Sequence, residues 1–427
     1  MYATPWHMAD GSAGSELPDY LRLWRFERYY RLSADQLPRV LCREAVLPDA
    51  LSFSRWRLRD CVTGARVWLF CLPSGQVVAS LSLDARCELG ELIDLLEDCY
   101  FADVEIGGER VETYAHAMAA RLGADVNQSD RLFLPERHQL VLDPAAAPND
   151  CEDVIQRLIY RTDLPYRKQY SAIRYPPELN RRPGWLAAVG PYVSAVCGHP
   201  DFIENSIFVS AVQAVAASAQ LRAIRHAAYQ DVRVFRGVEQ IRRTTQLRRR
   251  TLETIADQLG DLELELSYSV EASADLGLLV PSLRVESFHN ALYESMGLAA
   301  KATTAGRMLQ RLDRAISAEL TAIESIERRA DDNRRLRYAV AAGFVSTIAI
   351  PAGLIFAFLG INADQVRVQR SMFDHHYLAM YLSVAAVVVL GVVLSLTIYA
   401  RQRRNAQAQQ SRPEPRRWNL ATDEAPP

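Results

Sequence analysis

The sequence predicts an α+β protein: an N-terminal cytoplasmic α/β domain, a long helical stalk and two C-terminal transmembrane helices. Three observations carry this. Residues 51–143 alternate short strand-like and helix-like runs. Residues beyond about 207 are rich in Ala, Arg and Gln, with few helix breakers. Nearly all the long apolar runs of the 427-residue chain lie beyond Tyr338.

Residues 1–50 read as an N-terminal extension with an aromatic cluster from Tyr20 to Tyr30. Met1 to Asp19 lacks the basic-then-apolar pattern of a secretory signal, so the soluble part is expected to stay in the cytoplasm. Arg66–Cys71 and Gln76–Leu83 read as strands around a Pro73-Ser74-Gly75 turn. Glu91–Cys99 reads as a helix, Phe101–Ile106 as a strand, Val111–Leu122 as a helix and Gln139–Leu142 as a strand. Pro144–Asp150 reads as a linker.

A helical cytoplasmic domain is expected over 151–285, with a long helix from Ile207 to about Leu259 and an acidic run at Asp261, Glu263, Glu265 and Glu271. The arginines Arg242, Arg243, Arg248, Arg249 and Arg250 read as a solvated helix face or as partners of that acidic run. With a net charge of −2, they give no reason to expect a nucleic-acid partner. The stalk over 286–362 carries Leu309, Leu312, Ile316, Leu320, Ile323 and Ile326 at steps of three and four, a stripe suited to a helix–helix seam. No Gly or Pro follows Gly306 before the first apolar run, so one helix is expected to pass from the stalk into the bilayer.

Tyr338 to Ala363 and Tyr377 to Ala400 contain no charged residue, and about 20 apolar residues span a hydrocarbon core. Arg328, Arg329, Arg334, Arg335 and Arg337 precede the first span, and Arg401, Arg403 and Arg404 follow the second. Both termini are therefore expected in the cytoplasm of a plasma-membrane protein, with the 363–376 loop outside and a basic, Pro-rich, disordered tail over 401–427. Seven cysteines without a C-x-x-C pair suggest reduced thiols. No Walker A loop, H-E-x-x-H or nucleophile elbow is present, so no enzyme activity is expected.

The end of the first span reads Gly360-Ile361-Asn362, with Pro351 nine residues before Gly360. This resembles the CorA family of divalent-cation channels, in which a Gly-Met-Asn signature closes the first of two C-terminal spans. The Ile variant resembles the zinc-transporting branch of that superfamily. The resemblance covers the C-terminal third and implies a homopentamer that conducts divalent cations, Mg²⁺ or else Zn²⁺, Co²⁺ or Ni²⁺, through a pore of first spans. It implies no resident cofactor; the cation is the cargo.

It further implies a selectivity filter at Gly360, Ile361 and Asn362, and a pore lined by Leu336, Ala339, Ala342, Ile350, Gly353 and Ala357. A ring of Asn362 amide oxygens would hold a largely hydrated ion, since Mg²⁺ sheds water reluctantly. Asn362 also suits a helix C-cap. Pro351 would free a carbonyl near Thr347 and kink the helix. The loop offers Asp364, Asp374, His375 and His376 as candidate metal contacts, and imidazole suits Zn²⁺. In the family, acidic cytoplasmic residues bind regulatory Mg²⁺ between subunits, a role open to the acidic run. A membrane-anchored sensor or scaffold with the same architecture but no conduction is the alternative from another class.

Overall fold

The computed structural model describes residues 1–8, 37–54, 61–126, 131–145, 152–162, 164, 171–198, 201–240, 245–271 and 282–349, and short helical pieces between 353 and 400. The architecture is mixed α+β. The chain divides into two compact units, Met1–Ala318 and Glu319–Pro427.

The first unit is built on a four-stranded antiparallel sheet. Its strands are β1 (Tyr2–His7), β2 (Arg39–Val46), β4 (Val62–Cys71) and β5 (Gln76–Ala85), in the order β1-β5-β4-β2. β4 and β5 form the expected hairpin. Gly75 sits in the turn at φ +80°, a conformation that glycine adopts without steric cost. A side chain there would also meet the Met8 carbonyl at 2.9 Å. β1 and β2 come from the segment expected to be an extension; they pair with β5 and β4, so the sheet begins at the second residue. The aromatic cluster Tyr20–Tyr30 lies outside the described residues.

A second, three-stranded sheet joins β3 (Leu51–Phe53), β6 (Val104–Ile106) and β7 (Glu109–Arg110) in the order β3-β6-β7. Helices α1 (Leu89–Phe101) and α2 (Val111–Arg121) follow the expected segments. α1 opens with a capping box in which Glu91 accepts from the Glu88 amide at 2.9 Å. It closes on Ala102 in the left-handed region at φ 57°, whose amide satisfies the last carbonyls of the helix. Val67, Leu69, Cys71, Val77 and Ala79 of the large sheet share a core with Leu95 of α1 and Met118 of α2.

The third sheet corrects the reading of 151–285 as purely helical. β8 (Gln139–Asp143) pairs in parallel with β10 (Val193–Cys197), which pairs antiparallel with β9 (Leu186–Val189). The sheet thus bridges the Pro144–Asp150 segment, of which 146–150 lie outside the described residues. α3 (Glu152–Tyr160) packs on it through Ile155, Leu158 and Ile159. The strands are four and five residues long and show no polar–apolar alternation, so periodicity alone did not reveal them. Gly190 ends β9, and a Cβ there would lie 2.3 Å from Ile159 Cγ2.

From Asp201 on, the described residues of the unit are mainly helical. α4 (Asp201–Gln240) is the central helix, packed on β1, β5 and β8 and on two further helices, α5 (Thr245–Glu265) and α6 (Leu283–Ser295). Phe208 of α4 meets Phe70 of β4 with ring centroids 5.4 Å apart. β4 reads as a continuous apolar run because both faces of the sheet are covered, by α1 and α2 on one and α4 on the other. α5 runs on as a π-helical stretch, Leu266–Glu271. The stalk expected from Glu286 is interrupted: α6 stops at Ser295, Gly297 takes φ +66°, and α7 (Leu298–Phe344) begins immediately after. From there the helix runs unbroken, passing into a π-helical turn at Val345–Ala349.

Candidate pore and membrane segment

α7 is 47 residues long and carries the stalk stripe. Leu309, Leu312, Ile316 and Ile323 are buried, Leu320 is half-buried, and Ile326 is 57% exposed. The stripe therefore serves as core at its N-terminal end and lies open farther along. Past it, Arg328 pairs with Glu324 at 3.3 Å and Arg334 with Asp331 at 3.9 Å. Both pairs lie on one helix at i,i+4 and i,i+3 spacing, and such exposed pairs contribute a few tenths of a kcal/mol.

Three of the pore positions implied by the resemblance fall on described α7 residues. Leu336, Ala339 and Ala342 sit three residues apart, within one helical stripe, and all three are exposed. Gly353 and Ala357 are helical and exposed. A Cβ at Gly343 or Gly353 would meet no atom within 4 Å, so this surface is open in a single chain. Ile350, Pro351, Gly360, Ile361, Asn362, Asp364, Asp374 and His376 lie outside the described residues. His375 is described and exposed. Among the described residues, no three His, Cys, Asp or Glu side chains come together as a metal site.

The π-helical turn at Val345–Ala349 was not anticipated. It lies just before Pro351, whose missing amide would leave the carbonyl of Thr347 without its usual donor. A π turn changes the hydrogen-bond step locally and is a recurrent feature of functional segments.

Every described residue from Leu378 to Ala400 is helical. Tyr381, Leu382, Val389, Leu390, Val393 and Leu396 are 45–71% exposed. Gly391 is the one buried residue among those described there. Apart from Gly391, the described residues of this apolar run are exposed.

One helix among the described residues is long and apolar enough to cross a membrane by length and composition: the Ser206–Gly237 part of α4, with 83% of its apolar window buried inside the protein. Three of its polar residues are tied to neighbouring elements. Ser210 Oγ lies 2.7 Å from His289 Nδ1 of α6, Ser218 donates to Glu136 at 2.7 Å, and Gln220 donates to Glu265 at the end of α5. Burial pushes the Glu265 carboxyl upward. Sheet on one side and helices on the other make α4 a core helix, where the sequence reading expected only a long helix from Ile207 to about Leu259.

The arginine cluster is partly described. Arg249 pairs with Glu253 one turn along α5 at 2.8 Å, a local pairing distinct from the acidic run. Arg242 and Arg243 lie outside the described residues. The described cysteines Cys42, Cys61, Cys71, Cys87, Cys99 and Cys197 form no disulfide with one another, and burial pushes the Cys99 thiol up to about 12. No family model, curated protein or solved structure matches this chain at a significant level.

Proposed function

We propose that the chain is a divalent-cation channel of the CorA type, embedded in the cell membrane with both termini in the cytoplasm. One observation carries the reading. The helix that starts at Leu298 as part of the soluble unit continues without interruption to Ala349, well into the charge-free segment that ends in Gly360-Ile361-Asn362. A pore helix continuous with a cytoplasmic helix can transmit a conformational change directly from one to the other.

Three features support the same reading. The implied pore stripe of Leu336, Ala339, Ala342, Gly353 and Ala357 is small or apolar and open in the single chain, as a wall shared by several copies would be. Most described residues of the second apolar run are exposed, among them Leu382, Leu390 and Leu396, which suits lipid. Arg328, Arg329, Arg334, Arg335 and Arg337 stand where the positive-inside rule places cytoplasmic charge.

In this reading five copies form the pore. Asn362 amides and Gly360 carbonyls face the hydrated cation, and the apolar positions below form a constriction that gates by excluding water. The membrane potential drives entry, at about 2.3 kcal/mol per charge per 100 mV. Mg²⁺ is the first cargo to test and Zn²⁺ the second. Cation uptake into proteoliposomes, compared between the native chain and Asn362→Ala, tests the filter. Loss of uptake or of selectivity supports it, and equal flux in both refutes it. No flux of any divalent ion from a correctly assembled oligomer would favour the non-conducting scaffold.

A further inference from the structure

A groove of about 660 Å³ runs between the C-terminal part of α4 and the first turns of α7. Its floor is apolar, from half-buried Val232, Phe235 and Met308. Its rim carries Arg236, Arg307 and Arg311, all exposed. Among the described residues, no carboxylate lines it. Three guanidinium groups around an apolar trough present a surface that lacks both an anionic and an apolar counterpart.

The same chain carries a ridge of the opposite character. Asp257, Asp261, Leu264 and Tyr268 follow one another at i, i+4, i+7 and i+11 along α5 and its π-helical continuation, so they share a face. Leu264 is 71% exposed and Tyr268 63% exposed, and both aspartates are exposed. The opposite face of α5 is already used, through buried Leu252, Ile255 and Leu259. Within one chain the ridge therefore points to solvent with two apolar side chains and two carboxylates.

We propose that the Asp257–Tyr268 ridge of one copy docks in the Arg236–Arg307–Arg311 groove of the next. Leu264 and Tyr268 enter the apolar trough, and Asp257 and Asp261 meet the arginines, the arrangement in which an amphipathic helix fills a groove. Carboxylate–guanidinium pairing is directional and gains strength as water leaves. Ridge and groove are different patches of the same surface, so the contact is head-to-tail. Head-to-tail contacts generate rings when the rotation closes, which is the geometry a channel of identical copies requires. The inference rests on the homo-oligomer in the proposed function and adds the cytoplasmic surfaces that hold it together.

The test uses the full-length chain in detergent, with Leu264→Cys and Met308→Cys introduced singly and together. Under mild oxidation the double variant should give a reducible ladder of cross-linked chains ending at the ring size. An equimolar mixture of the two single variants should give a cross-linked dimer, and neither alone should exceed the native background. Asp257→Arg with Asp261→Arg should cut cross-linking about tenfold, the loss that about 1.4 kcal/mol of pairing implies. Adding Arg307→Glu and Arg311→Glu to the same chain should restore it. Absence of the ladder from an oligomer of normal mass overturns the proposal. So does protection of the introduced thiols by added pyrophosphate without any cross-link, which would make the groove a small-anion site. A complete ladder with no cation flux leaves the docking intact and counts against the channel; flux without a ladder does the reverse.

Discussion

Ser194 Oγ of β10 lies 2.9 Å from His138 Nε2, with both side chains buried beneath the third sheet. The contact ties the residue just before β8 to a strand more than fifty residues later. Burial pushes the His138 imidazole down to about 3, so the folded protein holds it neutral.

That neutral histidine makes stability depend on pH with a definite sign. In the unfolded chain His138 titrates near its ordinary value of about 6.5. Its folded value is lower, so its contribution is full above 6.5 and is lost as pH falls below it. Between pH 7.5 and pH 5 the loss is on the order of 2 kcal/mol. His7 at the end of β1, also pushed down by desolvation, acts in the same direction. Thermal unfolding at the two pH values should show the loss, and His138→Gln should reduce the difference. An unchanged pH slope in that variant would place the effect elsewhere.

Gly190→Ala should destabilise the first unit by about 1–3 kcal/mol, the usual cost of forcing atoms into a filled site. The new Cβ would meet Ile159 Cγ2 at 2.3 Å and the Val193 carbonyl at 3.0 Å. Ile159 branches at Cβ and has little freedom to move aside. Combining Gly190→Ala with Ile159→Ala should cost less than the sum of the two single changes, because the second removes the clash. Chemical denaturation of the four proteins of the cycle measures this; strict additivity would rule the contact out.

Much of the first unit was readable residue by residue, and the failures have physical causes. Pro73-Ser74-Gly75 announced a hairpin because its glycine sits where φ must be positive, and β4 and β5 formed on either side. Tyr2–His7 was missed because a six-residue strand gains its identity only from its partner β5. β9 and β10 were missed for the same reason, although Gly190-Pro191 between two apolar runs was a usable turn signal. Gly297 was read through as part of the stalk, since an isolated glycine in a helical pattern is ambiguous until its φ is known. The arginines of the α4–α7 groove left no trace in spacing, because Arg236 is brought to Arg307 and Arg311 only by packing.

The stalk stripe should divide into two energetic halves. Leu309 is fully buried, and Leu309→Ala should cost about 2–5 kcal/mol, as core truncations do. Ile326 is 57% exposed, and Ile326→Ala should change the unfolding of the separated chain by less than about 0.5 kcal/mol. If the outer half of the stripe is a seam between copies, the same Ile326→Ala change should weaken the oligomer. Mass photometry across a dilution series, read beside unfolding curves, separates the two effects. Equal unfolding costs for Leu309→Ala and Ile326→Ala would contradict the burial pattern.

Leu390→Arg addresses the membrane directly. Leu390 is 71% exposed and Val389 beside it 61% exposed, near the middle of the second apolar run. In a bilayer an arginine at the centre of a spanning helix costs about 2.5–3.5 kcal/mol on insertion scales. The variant should therefore shift chain from the membrane fraction to aggregates or degradation products, and Leu390→Ile should not. If the helix instead lay against water, the arginine would improve solubility and leave the yield of folded protein unchanged or raised. Fractionation of cells expressing the native chain and both variants, followed by carbonate extraction, distinguishes these outcomes. The sign of the change, rather than its size, decides whether lipid covers this helix.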